Sequence, residues 1–450
     1  MNTPLLDFLK CYQESGTARL HMPGHKGRAQ LGPEPLDITE IRGADELYAA
    51  EGVIAQAEAN TARAFGTAVT CWSTEGSSHA IRSMILLAMQ KFGHPGGTIL
   101  AGRNAHKAFL YALALTGCEA AWIYPAEEDE NSVASCMVTP AALTAALSAC
   151  REKGRMPFAV YVTSPDYLGH AADIAGLSAA AAAFGLPLLV DGAHGAYLHF
   201  LKTPCHPMDL GAAMCCDSAH KTLPVLTGGA YLHIREGIAA AEEVKAAMEV
   251  TGTTSPSYLI MASLDRAAGL LLSDYPEKIR ETAARLEAWR MDMRARGIPV
   301  LQTDPLKLTV DAGAMGYSGE ELGDLLRTHG AEPEFCDAAY LVCMLTPEND
   351  GRDLDCLTRT LLEAAAQHRA VKSALRLRLT PARQVMPVRE AVLARHERVP
   401  LAEAEGRVCG APTVSCPPAI PIAVSGELLT RETLEIMKAY GIDRVSVVIA

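Results

Sequence analysis

Between about Thr67 and Ile234, short apolar runs of strand length alternate with longer segments of helical pattern. The apolar runs predict strands at Ala68–Ser73, Gly97–Ala101, Ala121–Tyr124, Phe158–Thr163, Leu186–Val190 and Ala230–Ile234. The segments between them predict helices at Ser77–Phe92, Ala105–Thr116, Pro140–Lys153 and Leu177–Phe184. Strands that alternate with helices form βαβ units around a mostly parallel sheet, so the predicted fold class is α/β. In such a sheet, functional residues collect in the loops at the carboxyl ends of the strands.

The rest of the chain divides into smaller parts. After a long helix at Asp274–Arg296 the pattern predicts an extended segment at Ile298–Val310, a helix at Ser318–His329 with a capping box, a strand at Ala339–Leu345 and a helix at Asp353–Ala370. Prolines become frequent beyond Pro381, where short strands and a final helix at Thr430–Tyr440 are expected. Because 450 residues exceed what one core usually supports, we predict four parts: an N-terminal segment (1–50), a large domain (51–297), a small α+β domain (298–375) and a C-terminal domain (376–450).

The composition excludes several classes of function. A net charge of −12 argues against a nucleic-acid-binding protein, which needs a basic face for the phosphate backbone. No apolar run has membrane-spanning length, and the first residues do not resemble a signal peptide. The 13 cysteines are dispersed without CxxC spacing, so we expect reduced thiols, no metal site and a cytoplasmic protein.

Asp191 follows the apolar run Leu188–Val190, and Lys221 lies thirty residues later between Ser, His and Thr residues. A lysine amine can form an imine with the aldehyde of a cofactor, and a carboxylate can keep a pyridine nitrogen protonated. The pair therefore predicts a site for pyridoxal 5'-phosphate (PLP). The alternative is that Lys221 is a surface lysine and Asp191 a turn or cap residue.

A phosphate site is indicated between the first predicted strand and its helix. Gly76 permits a close backbone approach there, and Ser77 and Ser78 add hydroxyl groups to the free N–H groups of a helix N-terminus. Ser218, three residues before the lysine, is a further phosphate candidate. Serines before a helix also serve as simple caps, so this signal is weak by itself.

Four more residues near these motifs are candidates for the site. His106 could stack on the cofactor ring or act as a core or cap histidine, and the methyl group of Ala193 could pack on a flat ring or in an ordinary core. His194 could bond the cofactor's phenolic oxygen or a substrate carboxylate. His220 could contact the phosphate or act as an acid–base group beside the imine.

Taken together, the motifs resemble the Orn/Lys/Arg decarboxylases in their short form, which lacks a receiver-like wing domain. These are PLP enzymes of fold type I, related to the aspartate aminotransferase superfamily. The matching blocks occur in family order over nearly the full length: His21–Gly27, Glu75–Ser78, Arg103–Lys107, Ser164–Gly169, Asp191–Gly195, Ser218–Pro224, Thr253–Tyr258, Pro417–Pro421 and Gly426–Glu427.

The resemblance implies roles for the candidates. Lys221 would carry the cofactor as an imine, His106 would stack on the ring, Asp191 would pair with its nitrogen, and the serines above would hold the phosphate. Thr254 and Ser255 would reach a site across a dimer interface. The functional unit would then be a homodimer or a dimer-based oligomer with shared active sites.

The sequence departs from the family pattern at several positions. Glu75 stands where the family usually has asparagine, Gly192 where it has an acid, and Ala419 where it has glycine. The N-terminal segment, expected to reach the active site or the dimer partner, also differs at Ala44–Ala50. Substrate contacts are expected in these blocks, and the acidic candidates for a distal amine or guanidinium are Asp45, Glu46 and Glu75.

The resemblance implies α-decarboxylation of arginine, lysine or ornithine to the amine and carbon dioxide, in a role related to polyamines. Lys221 and His220 are the candidates for returning a proton to Cα. Two alternatives stay open. The chain could be an aminotransferase or aldolase-type lyase on the same fold, because a fold does not fix a reaction. It could also be a binding or regulatory relative that has lost catalysis.

Overall fold

The computed structural model describes residues 2–125, 135–371, 378–411 and 420–449. The strands are β1 (Val69–Ser73), β2 (Thr98–Gly102), β3 (Glu119–Ile123), β4 (Ala159–Thr163), β5 (Leu188–Asp191), β6 (Met214–Asp217), β7 (Ala230–Ile234), β8 (Lys307–Asp311), β9 (Phe335–Cys336), β10 (Tyr340–Met344), β11 (His396–Pro400) and β12 (Arg444–Val448). The helices are α1 (Pro4–Glu14), α2 (Val53–Phe65), α3 (Gly76–Phe92), α4 (Lys107–Thr116), α5 (Pro140–Glu152), α6 (Ile174–Ala182), α7 (Ala219–Thr222), α8 (Ala241–Glu249), α9 (Tyr258–Leu271), α10 (Tyr275–Ala295), α11 (Gly319–Thr328), α12 (Gly351–Ala366), α13 (Val388–Leu393) and α14 (Arg431–Ala439). Short 3-10 helices lie at Glu34–Leu36, Ala196–Phe200, Gly313–Met315 and Leu401–Glu403.

The chain folds into two compact units, and the first contains residues 1–92 and 187–279. Its strands lie in the order β1-β7-β6-β5, with β5 and β6 parallel and β7 antiparallel to both of its neighbours. All four residues of β5 and of β6 are buried, as expected of strands that are covered on both faces. Helix α3 packs on β6 and β7, and α2 packs on β1 and α9. This unit carries most of the predicted site residues.

The second unit contains residues 93–186 and 280–450. The strands β4-β2-β3 are parallel neighbours and continue the βαβ pattern. A separate antiparallel sheet, β8-β10-β9, packs with α11, and α11 packs with α12. Strands β11 and β12 form an antiparallel pair, and α13 packs on α4.

The predicted α/β fold with mostly parallel pairing is confirmed. Ser318 and Glu321 form the expected capping box at the start of α11. Two details of the structure go beyond the predictions. Strand β6 was not predicted, because its sequence Met-Cys-Cys-Asp lacks β-branched residues, and Ile298–Val310 forms a strand only from Lys307 onward.

The helices and strands leave two features of the sequence analysis untested. The division into four parts stays a prediction. The departure at Ala419 lies outside the described residues. Among the helices of the described ranges, none combines the length and the apolar character needed to cross a membrane.

Helix α1 is held by a buried carboxylate of the same unit. Asp265 on α9 is fully buried, and its Oδ2 accepts the N–H of Leu6 at 2.9 Å, in the first turn of α1. Burial raises the pKa of Asp265 to about 6 from an ordinary 3.8, and the backbone hydrogen bonds of Leu6 and Leu5 oppose the rise only in part. Folding therefore favours the protonated form of Asp265.

The sign of this shift predicts how stability depends on pH. A raised carboxyl pKa contributes stability that is complete below the pKa of the unfolded chain and is lost as the pH rises through about 6. Asp265→Asn keeps an oxygen acceptor for Leu6 but cannot ionise. Relative to the original protein, this variant should gain about 1 kcal/mol in free energy of unfolding between about pH 5 and about pH 8. Denaturant unfolding at both pH values measures the change. Glu14→Gln, at an exposed position on α1, serves as the control, and an equal response of both variants would contradict the prediction.

Candidate active site

The predicted phosphate residues come together at the N-terminus of α3. Ser77 and Ser78 lie in its first turn, after Gly76, whose φ of +71° favours glycine. Ser218 reaches the same place from the loop after β6, and its Oγ donates to Ser77 Oγ at 2.7 Å. Two hydroxyl groups and the free N–H groups of a 17-residue helix therefore form a cradle for an anion.

Lys221 lies on the short helix α7, directly after β6. Its Nζ is 2.9 Å from Nε2 of His194, which is buried. One of these nitrogens must donate and the other accept, so the pair can hold a proton between an amine and an imidazole. His194, predicted to bond the cofactor's phenolic oxygen or a substrate carboxylate, thus contacts the lysine amine directly.

Asp191 is the last residue of β5 and is 2% exposed. Its Oδ1 accepts the N–H of Ala193 at 3.2 Å and the thiol of Cys216 at 3.7 Å. Burial raises the pKa of the Cys216 thiol well above its ordinary value, so the sulfur stays protonated and acts as a donor. The carboxylate is fixed from two sides at the carboxyl end of the strand.

His220 and His106 are each fixed by a backbone contact. His220 Nδ1 donates to the carbonyl of Gly229 at 3.0 Å. His106 Nδ1 accepts the N–H of Ala108 at 3.2 Å, which makes His106 the N-cap of α4. Since α4 belongs to the second unit, stacking of His106 on a cofactor ring stays a prediction. Packing of Ala193 on that ring also stays a prediction.

The structure does not support a substrate role for Asp45. Its carboxylate accepts N–H groups at the start of α2 and in the preceding loop, those of Glu46, Glu51, Gly52, Ile54 and Ala55. Burial alone would raise the pKa of Asp45, but these hydrogen bonds outweigh it and lower the pKa. With both oxygens occupied in this way, Asp45 caps a helix.

Glu75 makes a backbone contact within the first unit. Its Oε1 accepts the N–H of Thr253 at 2.7 Å, next to the exposed Thr254 and Ser255. Glu75 therefore ties the start of α3 to the loop that was predicted to reach a partner's site. Glu46 is exposed, and a substrate contact of Glu46 or Glu75 stays a prediction, as does the role of this loop across a dimer interface.

A buried cluster in the same unit was not predicted from the sequence, and it is made of His206, Asp217 and His233. Oδ2 of Asp217 lies 2.9 Å from His206 Nε2 and 3.2 Å from His233 Nε2, and all three side chains are fully buried. Burial alone would raise the pKa of Asp217, but the two histidines outweigh it and hold the pKa below its usual range. The cluster could have been found only from the pairing of strand β6 with strand β7, and that pairing is visible only in the fold.

These residue types can bind metals, but the hydrogen bonds describe a different arrangement. His206 Nδ1 accepts the N–H of Met208 at 3.3 Å, so the proton of the neutral ring is on Nε2. A protonated Nε2 has no lone pair for a metal ion and instead donates to Asp217. The cluster therefore supports the strand that leads to Ser218 and Lys221.

The same cluster explains the departure at Gly192. A Cβ at this position would lie 2.7 Å from Asp217 Oδ1 and 2.8 Å from Cys215 Sγ, closer than real side chains approach. Any larger residue at position 192 would displace Asp217. Glycine at position 192 therefore leaves room for the side chain of Asp217 on the neighbouring strand.

Known proteins share both the sequence and the fold. The arginine decarboxylase of Bacillus subtilis is 31% identical over 467 residues, which cover 96% of this chain and 92% of the relative. The arginine decarboxylase of Halalkalibacterium halodurans is 30% identical, with coverage of 96% and 92%. The constitutive lysine decarboxylase of E. coli has the same fold, with a TM-score of 0.80 and 18% identity over 100% of this chain and 82% of that one.

More distant structures show the wider fold group. The serine palmitoyltransferase of Sphingomonas wittichii matches with a TM-score of 0.57 and 14% identity over 82% of this chain and 84% of that one.

The family model described as "Orn/Lys/Arg decarboxylase, major domain" matches residues 3–298, and that described as "Orn/Lys/Arg decarboxylase, C-terminal domain" matches residues 364–440. The chain therefore belongs to the Orn/Lys/Arg decarboxylase family.

Proposed function

We propose that this protein removes the α-carboxylate of a basic amino acid as carbon dioxide, with PLP held at Lys221. The observation that carries the proposal is the joint placement of Lys221, His194 and Asp191 in one unit, in a chain of this family. The lysine amine, with a histidine nitrogen 2.9 Å away, suits the aldehyde of a pyridine cofactor. The buried carboxylate at the end of a strand suits the ring nitrogen.

The residues present fit PLP in two respects. Ser77 and Ser218, hydrogen-bonded to each other at a helix N-terminus, suit a phosphate group. Asp191 is buried, where solvent screens the attraction between a carboxylate and a protonated ring nitrogen less than at the surface. When bound, PLP would supply an electron sink for the pair released by the departing carboxylate.

The chain's own residues would perform the remaining steps. His194 would orient the Lys221 amine and share its proton, so that the amine can bind an aldehyde in neutral form. After loss of carbon dioxide, Lys221 or His220 would return a proton to Cα. The ring of His220 is fixed through Nδ1 to Gly229, which makes Nε2 the nitrogen for such a transfer.

We propose arginine as the first substrate to test. Relatives named arginine decarboxylase are 28% to 31% identical over nearly the full chain, whereas the lysine decarboxylase structures are at most 19% identical. Lysine and ornithine are the competing substrates. We further propose a cytoplasmic homodimer or dimer-based oligomer with shared active sites, whose amine product enters polyamine metabolism.

A substrate panel tests this proposal. Purified protein is incubated with PLP and with arginine, lysine or ornithine, and both carbon dioxide and keto acid are measured. We expect carbon dioxide and the matching amine in equal amounts, with kcat/KM for one substrate at least about tenfold above the others, since a site built for one distal group leaves another unpaired. Formation of keto acid would indicate an aminotransferase. Binding of PLP without any product would favour a relative that has lost catalysis.

A further inference from the structure

His79 is a buried histidine in the first turn of α3, close in sequence to the anion cradle of Ser77 and Ser218. Its Nε2 lies 2.8 Å from the carbonyl oxygen of Met248 in α8. Its Nδ1 lies 2.9 Å from Oγ of Ser73, the last residue of β1, which is also fully buried. Both nitrogens of the ring are therefore engaged within the first unit.

These contacts determine the direction of each hydrogen bond. Burial lowers the pKa of His79, so the ring is neutral and carries one proton. A carbonyl oxygen can only accept, so this proton is on Nε2, which donates to Met248. Nδ1 then accepts the hydroxyl proton of Ser73, whose Oγ lies farther from the carbonyl oxygen of Gly76, at 3.3 Å.

Ser73 extends this series of hydrogen bonds to the turn between β1 and α3. Its hydroxyl proton points to the imidazole, and its oxygen accepts the N–H of Glu75 at 3.1 Å. The next residue, Gly76, donates its N–H to the carbonyl of Gly228 at 2.7 Å. The turn is thus fixed through two successive N–H groups, directly before Ser77.

This turn also orients the anion cradle. Phosphate binding at a helix N-terminus depends on the free N–H groups of the first turn, and in α3 their directions follow from the backbone at Glu75 and Gly76. The side chain of Ser77 starts from the same backbone. We propose that His79 and Ser73 are positioning residues, which hold the start of α3 in the geometry that receives the phosphate group of PLP. This inference rests on the proposed function, because it assigns the cradle to that phosphate.

A purely structural role of His79 and Ser73 predicts a different result. Loss of a structural hydrogen bond would lower stability, or would weaken every ligand of the site by the same factor. A positioning role toward the phosphate weakens only a ligand that carries this group. Pyridoxal has the same ring and aldehyde as PLP but no phosphate. The ratio of its dissociation constant to that of PLP therefore isolates the contribution of the cradle.

The experiment uses the full-length protein, titrated with PLP and with pyridoxal by visible absorption. Ser73→Ala removes the hydroxyl group that accepts the N–H of Glu75. His79→Gln places an amide donor near the position of Nε2, toward Met248, but has no acceptor at the position of Nδ1. His79→Asn has an acceptor oxygen there and loses the contact with Met248. The two replacements therefore separate the roles of the two ring nitrogens.

The matched control is Ser83→Ala on the same helix. The side chain of Ser83 is fully buried, and its Oγ donates to the backbone carbonyl of His79 at 2.9 Å. This variant removes a buried hydroxyl group beside His79 but leaves both contacts of the imidazole ring in place.

We expect Ser73→Ala and His79→Gln to lower the ratio at least about threefold, mainly through weaker binding of PLP, since one hydrogen bond contributes on this scale. His79→Asn and Ser83→Ala should change the ratio by less than about threefold. A smaller fall in Ser73→Ala or His79→Gln overturns the proposal. A fall in His79→Asn or Ser83→Ala as large as that in His79→Gln overturns it as well.

If a His79 variant fails to fold, Ser73→Ala and Ser83→Ala decide, because each removes a single oxygen atom. A ratio that falls at least about threefold in Ser73→Ala alone supports the proposal, and any other result overturns it. Failure of the proposed function is distinguishable, because an original protein that binds PLP but decarboxylates no basic amino acid still has a ratio to measure. An original protein that binds pyridoxal as tightly as PLP overturns the assignment of the cradle and this inference with it.

Discussion

Lys221→Ala is expected to abolish decarboxylation and the visible absorption of bound PLP. The amine of Lys221, 2.9 Å from His194 Nε2, is the group in this site that can bind an aldehyde covalently. Its loss should lower kcat at least about a thousandfold, the scale seen when a covalent catalytic group is removed. Absorption spectra of the purified variant, reduction with borohydride and a carbon dioxide assay measure the effect.

The exposed lysine Lys202 in the same unit offers a control. Lys202→Ala should keep both the absorption and the turnover of the original protein. Retained turnover in Lys221→Ala, with the absorption band intact, would place the cofactor on another lysine and refute the assignment.

Asp191→Asn is expected to have the next largest effect. The carboxylate is 2% exposed and fixed by Ala193 and Cys216, so little solvent would screen its pairing with a protonated ring nitrogen. The neutral amide would leave that nitrogen without a counter-charge, at a cost of about 3–5 kcal/mol. If this loss falls on the transition state, kcat/KM decreases about 10²- to 5 × 10³-fold, and PLP binds more weakly.

Kinetics and PLP titration of the variant measure both effects. Asp209→Asn, which alters an acid hydrogen-bonded to His199 in the same unit, is the control. A result for Asp191→Asn that matches the control would mean that Asp191 does not face the cofactor.

The elements of the fold were predictable where their pattern is local. Apolar runs with β-branched residues gave β1, β4 and β5, and Ser318 with Glu321 gave the start of α11. Strand β6 was missed because its burial depends on neighbours that only the sheet supplies. The antiparallel direction of β7 has the same cause, since direction is set by the connection and not by the residues of the strand.

The residues of the site also divide into those that the sequence predicts and those that only the fold reveals. The chemistry of four site residues could be inferred from the chain alone, because each follows a predicted strand or belongs to a recognisable motif. These residues are Ser77, Ser218, Asp191 and Lys221. The role of Asp45 was not predictable, because an acid in a loop looks the same whether it faces a ligand or backbone N–H groups. The Asp217 cluster depends on pairing between β6 and β7 and on a loop contact of His206.

The hydrogen bond between Ser218 and Ser77 spans 141 positions of sequence, and the chain between them leaves the first unit after residue 92 and returns at residue 187. The entropy of closing so long a loop must be overcome before the anion cradle exists. A partly folded chain would therefore have little affinity for a phosphorylated cofactor. Under the proposed function, loading with PLP would thus distinguish folded molecules from partly folded ones. A ligand that binds the native state also stabilises it against unfolding, and the stabilisation grows with the logarithm of the ligand concentration.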